Sequence, residues 1–491
     1  MERQINDIEE LKKEKYTHKE YLRKQKINKF ISLKRSIGAN DQNYTIKVSD
    51  IIIKQEFKEK RFNTLLDLLS FSSSIFQNEN SDINDIKFII YLLKQTQIKN
   101  DTKDEINSSN ILKDIAQIFK KYIENTIIID ELLGILINFS YFFKPETNMN
   151  LLTDDYMKIY STISAKYFTD NVIFNDLIIL LGNLANDNPS AQKIFYNTKL
   201  FDELYKLSKE AKAPTNKRDV AIYFLGNFTV GISRNKDLIN NIQLLKDLVD
   251  ILCLYINQNE YSKICLISLG ELSDIKDFVG YFVNKKEIFE FIHNNNNPDY
   301  FWPINKILVN LTFVDDKINL IMIETYNTTI FPYLFKILNS SSKLIQGQGF
   351  FLLGNLLENH SCKINDILNK EGFYDKIFEN MDSLVSEIID KVTFLINIIT
   401  SSSDNEGIFQ LYKKKIHLKL INILKNNYRR EIIDRTIDAI IDFLQKDTHD
   451  GIIRQSFIDN GIKEVLNGLE IDRNDAELYL KVEEITKHYL S

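Results

Sequence analysis

The sequence predicts an all-α protein made of stacked helical repeats. The 491 residues exceed the usual size of a single hydrophobic core, so the chain should form several domains or a repeat array. Hydrophobic residues make up 44% of the chain, whereas only 15 glycines and 6 prolines occur, a balance typical of long helices with short connections. A motif that recurs along the chain specifies the kind of helical fold.

A short apolar motif recurs with a period of about 43 residues, most clearly as ILLGNLAND, YFLGNFTVG and FLLGNLLEN. One position of each copy is polar and is here called the anchor. The anchors are Asn138, Asn183, Asn227, Glu271, Asn310, Asn355, Asn397 and Asp442. Successive anchors lie 45, 44, 44, 39, 45, 42 and 45 residues apart. Helical repeats of this length fall in the armadillo and HEAT range. We therefore predict an armadillo-repeat, right-handed superhelical solenoid of about nine or ten repeats.

The chain divides into two predicted parts. Residues 1–45 form a basic N-terminal arm, because ten Lys and Arg residues stand against two Glu between positions 11 and 35. Residues 46–491 form the solenoid, whose first repeat is the vaguest since FNTLLDLLSFSSS and IKFIIYLLKQ look helical without a clear anchor. Within a later repeat, Leu200, Phe201 and Leu204 recur at helical spacing and predict a stacked helix.

Several classes of function find no support in the sequence. The net charge of −6 argues against a nucleic-acid binder, and the absence of a long apolar run argues against a membrane span. The three cysteines and six histidines show no metal-ligand spacing, so we expect no metal, no cofactor and no enzyme activity. QGQGFFLLG at 346–354 lacks the spacing of a phosphate-binding loop and is best explained by helix packing.

The polar anchors allow two interpretations. Each amide could bond a neighbouring group in the core, because an unpaired buried amide costs about 1–3 kcal/mol. Stacking would also align them on the concave face, where a carboxamide can donate to and accept from the main chain of an extended peptide. Glycines directly precede four anchors, at 182, 226, 270 and 354, and serve either close peptide approach or tight helix packing.

Three stretches resemble one known family. LGNLAND and FLLGNLLEN are similar to its armadillo signature, YLRKQKINKFISLKRSI from Tyr21 to Ile37 is similar to the segment that binds its carrier, and Gly461 to Leu490 is similar to its last repeat. On these residues the chain resembles importin-α, the adaptor of nuclear import, over nearly its whole length. The resemblance implies residence in the cytoplasm and nucleus.

The resemblance also implies a concave groove that binds lysine-rich import signals. Asparagines of the family hold the peptide backbone, tryptophans four residues earlier stack on lysine stems, and an acid receives a lysine. Carried over by position, the peptide-binding residues are Asn138, Asn183, Asp187, Tyr223 and Asn227 in a major site and Asn310, Phe351, Asn355, Asp390 and Asn397 in a minor site.

The tryptophan positions depart from the family pattern. They hold Gly134, Ile179, Tyr223, Lys306, Phe351 and Thr393, so only two keep a ring. At about 0.5–2 kcal/mol for each cation–π contact, the loss of four rings should weaken a lysine-rich peptide by several kcal/mol. The alternative is therefore an armadillo scaffold, cytoskeletal or an assembly factor, that has lost lysine recognition.

The resemblance also implies partners outside the groove. An importin-β-type carrier would bind the arm through Leu22, Arg23, Lys24, Lys26, Lys34 and Arg35. An export receptor at the C-terminal repeat is a further partner that the family suggests. The free arm would compete with cargo, with Lys34 and Arg35 facing Asp187, since tethering gives a linked segment an effective concentration of up to roughly millimolar.

Overall fold

The protein is described from a computed structural model. The described residues are 65–78, 81–95, 106, 109–142, 148–210, 214–313, 316–358, 367–368, 372–383, 385–426, 428–469 and 475–490. The predicted arm residues Leu22, Arg23, Lys24, Lys26, Lys34 and Arg35 lie outside them.

The described residues form α-helices and short 3₁₀ or π segments, without a strand. Two compact units meet in sequence at Ile275 and Lys276. The helices of the N-terminal unit are α1 (Leu65–Gln77), α2 (Ile83–Gln95), α3 (Ile111–Lys121), α4 (Thr126–Phe142), α5 (Asp154–Tyr167), α6 (Asn171–Ala185), α7 (Pro189–Tyr196), α8 (Lys199–Lys209), α9 (Thr215–Thr229), α10 (Lys236–Ile239), α11 (Ile242–Tyr255) and α12 (Ser262–Leu272).

The helices of the C-terminal unit continue the numbering. They are α13 (Lys276–Val279), α14 (Lys286–Asn294), α15 (Phe301–Thr312), α16 (Asp316–Thr325), α17 (Asn327–Leu338), α18 (Lys343–Leu357), α19 (Phe373–Asn380), α20 (Ser386–Ser402), α21 (Asn405–Lys413), α22 (Ile416–Leu424), α23 (Arg430–Gln445), α24 (Ile452–Asp459), α25 (Ile462–Asn467) and α26 (Ala476–Glu484). The predicted all-α armadillo-type repeat fold is confirmed.

Polar residues cap the start of many of these helices. They lie where a loop ends and apolar residues begin to recur at helical spacing. The Asp170 carboxylate accepts hydrogen bonds from the backbone N–H groups of Val172 and Ile173 at the start of α6. Asn188 caps α7, in which Pro189 takes the first position, and Thr198 caps α8. Each cap satisfies N–H groups that have no partner inside the helix. A complete three-helix repeat, α7 to α9, therefore follows from local sequence signals.

The last helix of each repeat, here called the third helix, carries the anchor. Within the N-terminal unit α4, α6, α9 and α12 pack side by side, and within the C-terminal unit α15, α18, α20 and α23 do the same. QGQGFFLLG lies inside α18, as helix packing predicts. The solenoid core is thus formed by third helices that contact their counterparts in the neighbouring repeats.

Glycines before the anchors allow this close packing. A Cβ at Gly226 would lie 2.5 Å from the Ile264 side chain on the next third helix, and one at Gly354 would lie 2.8 Å from the Phe394 ring. Of the two interpretations of these glycines, the contacts favour tight packing between third helices. Close approach of a ligand is not needed to explain them.

Tyrosine hydroxyls brace successive repeats. Tyr156 donates to the carbonyl oxygen of Leu112 at 2.5 Å, Tyr167 to that of Ile123 at 2.6 Å, and Tyr255 to that of Ser208 at 2.7 Å. Their partners precede them by 44 to 47 residues, which is one repeat. The carbonyl groups of Ile123 and Ser208 lie at or just after the C-terminal ends of α3 and α8, where a helix leaves carbonyl groups without a partner.

Candidate peptide-binding surface on the third helices

All ten predicted peptide-binding residues lie on the third helices or directly after one. Asn138 lies on α4, Asn183 on α6 and Asn227 on α9, and their counterparts Asn310, Asn355 and Asn397 lie on α15, α18 and α20. Because consecutive third helices are in contact within each unit, residues at the same register are neighbours. The structure shows this arrangement, whereas the role of these residues in peptide binding stays a prediction.

Asn183 links three third helices. Its side-chain N–H donates to the Ser140 hydroxyl on α4 at 3.3 Å, and its carbonyl oxygen accepts from the Tyr223 hydroxyl on α9 at 3.2 Å. The side chain is half-buried. Both halves of the amide are therefore engaged between repeats.

Asn227 is a core residue. Its side chain is completely buried, donates to the carbonyl oxygen of Tyr223 at 3.1 Å, and accepts from the Asn186 amide of the preceding repeat at 3.2 Å. Asn355 is likewise buried and donates to the Thr312 hydroxyl on α15 at 3.0 Å. Both sets of contacts support the first interpretation of the anchors, in which each amide bonds a neighbouring group in the core. Asn310 is half-buried and has a contact of its own.

Asn138 and Asn397 differ from the other amide anchors. Asn138 is exposed on α4, and Asn397 is half-buried on α20. Within the described residues, neither side chain has a hydrogen-bond partner. Among the described anchors, each unit thus has one amide whose side chain makes no hydrogen bond within the chain.

The positions predicted to correspond to tryptophans of the family differ in how much space surrounds them. A Cβ at Gly134, one turn before Asn138, would meet nothing within 4 Å, so the surface there is open. Ile179 and Thr393 are buried, and the Thr393 hydroxyl donates to the Ile389 carbonyl oxygen at 2.8 Å. Among the described anchors of the N-terminal unit, Asn138 therefore combines an unpaired amide with open space one turn away.

Asp187 lies just after α6 and is already paired. Its carboxylate forms an ion pair with Arg234, and its backbone N–H donates to the Val230 carbonyl oxygen at 3.1 Å. The residue has φ 59°, in the left-handed region that aspartate tolerates better than most residues. The acid predicted to receive a ligand lysine thus faces an arginine of its own chain.

Phe351 belongs to a column of rings in the C-terminal unit. Its ring centre lies 5.6 Å from that of Phe313 and 5.2 Å from that of Phe394. The ammonium of Lys391 lies 4.8 Å from the Phe351 centre, within the range of a cation–π contact. A cation of the same chain therefore lies against the ring predicted to stack on a ligand lysine.

Asp390 on α20 is surrounded by cations. Its carboxylate lies 3.0 Å from the Lys391 ammonium, 2.7 Å from the Arg435 guanidinium and 4.0 Å from that of Arg429. Burial acts to raise the pKa of Asp390, but the hydrogen bond and charge of Lys391 and the charges of the two arginines outweigh it and hold this pKa below its ordinary value. Asp390 is therefore ionised and neutralised within its own unit.

Two side-chain amides that were not predicted from the sequence form hydrogen bonds to the C-terminal ends of third helices. Gln192 on α7 donates to the carbonyl oxygens of Val230 at 2.8 Å and Ala185 at 3.3 Å. Asn319 on α16 donates in the same way to those of Asn355 at 3.2 Å and Thr312 at 3.3 Å. Each follows an anchor asparagine, Asn183 or Asn310, by nine residues, a second spacing that could have identified them.

Neither a metal site nor a membrane-spanning helix is found among the described residues. In the part of the chain that the structure describes, no three His, Cys, Asp or Glu side chains lie close enough together to hold a metal ion. None of the helices described is long and apolar enough to cross a membrane.

One solved structure that matches most of the chain supports the fold. No family model and no curated protein matches the chain in sequence. An engineered protein solved by the Northeast Structural Genomics Consortium is 14% identical, with a TM-score of 0.69 over 86% of this chain and 99% of its own. A designed armadillo repeat protein is 14% identical, with a TM-score of 0.42 over 50% of this chain and 100% of its own. Another, solved in complex with the peptide (KR)4, is 14% identical with a TM-score of 0.41 over 49% of this chain and 98% of its own.

Proposed function

We propose that this chain is a non-enzymatic adaptor that binds an extended peptide along its third helices. The observation that carries the proposal is the pair of unpaired amides, Asn138 and Asn397, at the anchor register of α4 and α20. A carboxamide donates and accepts at once, which matches the alternating N–H and C=O groups of an extended main chain. Asn183, half-buried between them in sequence, could contribute after releasing Ser140 or Tyr223.

The open surface at Gly134 supports the same proposal. A peptide held by the Asn138 amide needs space for its side chains on either side of the hydrogen bonds. Since a Cβ at Gly134 would meet nothing within 4 Å, that space exists one helical turn away from the amide. Main-chain recognition by Asn138 is thus sterically allowed.

The finer proposal is a nuclear import adaptor. It rests on the resemblance of the arm around Arg23 and Lys34 and of the C-terminal stretch to importin-α, which would give an importin-β-type carrier, lysine-rich cargo and an export receptor as partners. On this proposal the protein moves between cytoplasm and nucleus. Neither nucleic acid nor a membrane is a partner.

A scaffold without lysine recognition is the second candidate. The observation that favours it is the pairing of both predicted lysine-receiving acids, Asp187 with Arg234 and Asp390 with Lys391, inside the chain itself. Such a scaffold would use the same third-helix surface for a peptide of different composition.

Binding of a fluorescent lysine-rich peptide to the full chain, measured by anisotropy at low salt, separates the two candidates. The import adaptor is expected to bind it, and to bind it more tightly when an importin-β-type carrier is added, because the carrier removes the tethered arm as a competitor. A peptide with serine at each lysine position is the matched control. If the lysine peptide binds neither with nor without the carrier, the import adaptor is excluded and the scaffold remains as the candidate.

A further inference from the structure

Three phenylalanine rings form a continuous column on the third helices of the C-terminal unit. Phe313 directly follows α15, Phe351 lies on α18 and Phe394 on α20, and adjacent ring centres are 5.6 and 5.2 Å apart. The Phe394 ring packs against the backbone of α18 at Gly354, where a Cβ would lie 2.8 Å from the ring. Phe313, at the other end of the column, is 64% exposed. The column therefore ends in an aromatic surface that solvent reaches.

Three cations stand beside the inner part of this column and share one acid. The Lys391 ammonium lies 4.8 Å from the Phe351 ring centre, and the Arg435 guanidinium lies 5.5 Å from that of Phe394. Both cations, together with Arg429, pair with the Asp390 carboxylate. One carboxylate does not neutralise three cations, so positive charge remains next to the rings.

Acids on the same helices do not pair with these cations. Glu387 on α20 and Glu431 on α23 lie one turn before Lys391 and Arg435, yet among the described residues neither acid takes part in an ion pair. The Lys391 side chain is 35% exposed. It can therefore turn to the carboxylate of a ligand, because Arg435 still holds Asp390 at 2.7 Å.

We propose that this surface binds an extended peptide that carries an aromatic or large aliphatic residue and, two positions from it, an acidic residue. The inference rests on the proposed peptide-binding function and specifies the class of peptide for the C-terminal unit. The apolar side chain packs on the exposed ring of Phe313. The carboxylate pairs with Lys391 beside Phe351.

The spacing of the surface fits an extended peptide. Alternate side chains of an extended chain are about 7 Å apart, and the Phe351 ring, over which Lys391 lies, is centred 5.6 Å from that of Phe313. Asn397 follows Phe394 by three residues on α20, so its amide lies on the same helix face and can hold the main chain. This amide does not select side chains and would also hold a lysine-rich peptide, without the contribution of Lys391.

Affinities of the full chain for two short fluorescent peptides, measured by anisotropy at low salt, test the inference. The glutamate peptide is serine-rich and carries one phenylalanine with a glutamate two positions to either side. The glutamine peptide, with glutamine at both of those positions, is its matched control. The chain should bind the glutamate peptide about two- to fivefold more tightly than the glutamine peptide, and Lys391→Gln should remove this preference.

The exposed ring is tested with the same two peptides. Phe313→Ala should weaken the binding of both about three- to tenfold, since the ring is the apolar surface that the phenylalanine of the peptide covers. Tyr479→Ala is the matched control, because Tyr479 is a 59% exposed aromatic residue of the same unit on α26 rather than on a third helix. It should leave the affinity for both peptides unchanged.

The outcomes separate this inference from the proposed function. A preference for glutamate that is lost in Lys391→Gln, together with weaker binding in Phe313→Ala, supports the inference. Lys391→Met is a second neutral variant should Lys391→Gln fold poorly by circular dichroism. Equal affinity for the two peptides, or unchanged binding in Phe313→Ala, would overturn the inference, whereas the proposed function stands or falls on Asn138→Ala and Asn397→Ala. Binding of the lysine-rich peptide alone would likewise overturn only the inference. If none of the three peptides binds the unaltered chain, both proposals are overturned.

Discussion

Replacing Phe201 with alanine is expected to destabilise the repeat formed by α7, α8 and α9 by about 3–5 kcal/mol. Phe201 is 3% exposed, and its ring centre lies 4.9 Å from that of Phe228, 5.4 Å from that of Tyr196 and 6.3 Å from that of Phe224. The substitution leaves a cavity among rings contributed by all three helices, so the loss combines buried apolar area with missing contacts.

Hydrogen exchange of the α8 and α9 amides measures this effect locally, which matters because repeat proteins need not unfold in one step. The matched control is Leu254→Ala in the same unit, since Leu254 is 60% exposed and should change stability by less than about 0.5 kcal/mol. A loss below about 1 kcal/mol at Phe201 would show that the rings are not a close-packed core.

Acidification is expected to destabilise the C-terminal unit through His417. This side chain is 3% exposed on α22, its Nε2 lies 3.0 Å from the Ser456 hydroxyl, and its ring packs 4.7 Å from that of Tyr412 and 5.6 Å from that of Phe457. Burial, aided by the charge of Lys415, lowers the pKa of His417 from 6.5 to about 4. The folded protein therefore keeps the imidazole neutral at a pH where the unfolded chain binds a proton.

The lowered pKa of His417 sets the direction and the range of the effect. The contribution of the neutral His417 side chain to the free energy of unfolding is complete above the unfolded pKa of 6.5. This contribution is lost as the pH falls towards the folded pKa of about 4. Over this range the unaltered chain should lose about 3 kcal/mol more stability than His417→Gln, which does not titrate and can still bond Ser456. Urea unfolding at several pH values compares the two, and an NMR titration of the His417 ring with an apparent pKa near 6.5 would contradict the account.

The helical repeats could be predicted because the spacing of apolar residues and the helix caps are both local features of the sequence. Helical spacing of apolar residues such as Phe201 and Leu204, and caps such as Thr198, determine where helices begin and which face they bury. The anchor period then places Asn183 and Asn227 at one register of α6 and α9, as the structure shows. The partners of the chain, by contrast, could not be predicted from these signals, because a fold does not identify what it binds.

The state of each amide could not be predicted, because it depends on residues about one repeat away. Asn138 and Asn227 follow similar apolar runs, yet Asn227 is buried against Asn186 whereas Asn138 is exposed. The pairing of Asp187 with Arg234, 47 residues later, depends equally on how two repeats stack. Periodicity places a residue on a helix face but does not give the rotation of that helix against its neighbours.

The affinity of the full chain for the lysine-rich peptide, compared among single asparagine variants, tests most directly whether the unpaired amides bind peptide. Asn138→Ala and Asn397→Ala should each weaken binding about two- to tenfold, the value of one hydrogen bond, with stability unchanged. Asn422→Ala, which removes an exposed amide from α22 rather than from a third helix, should leave the affinity unchanged. Equal affinity in all three variants would contradict the account, because the peptide would then be held elsewhere.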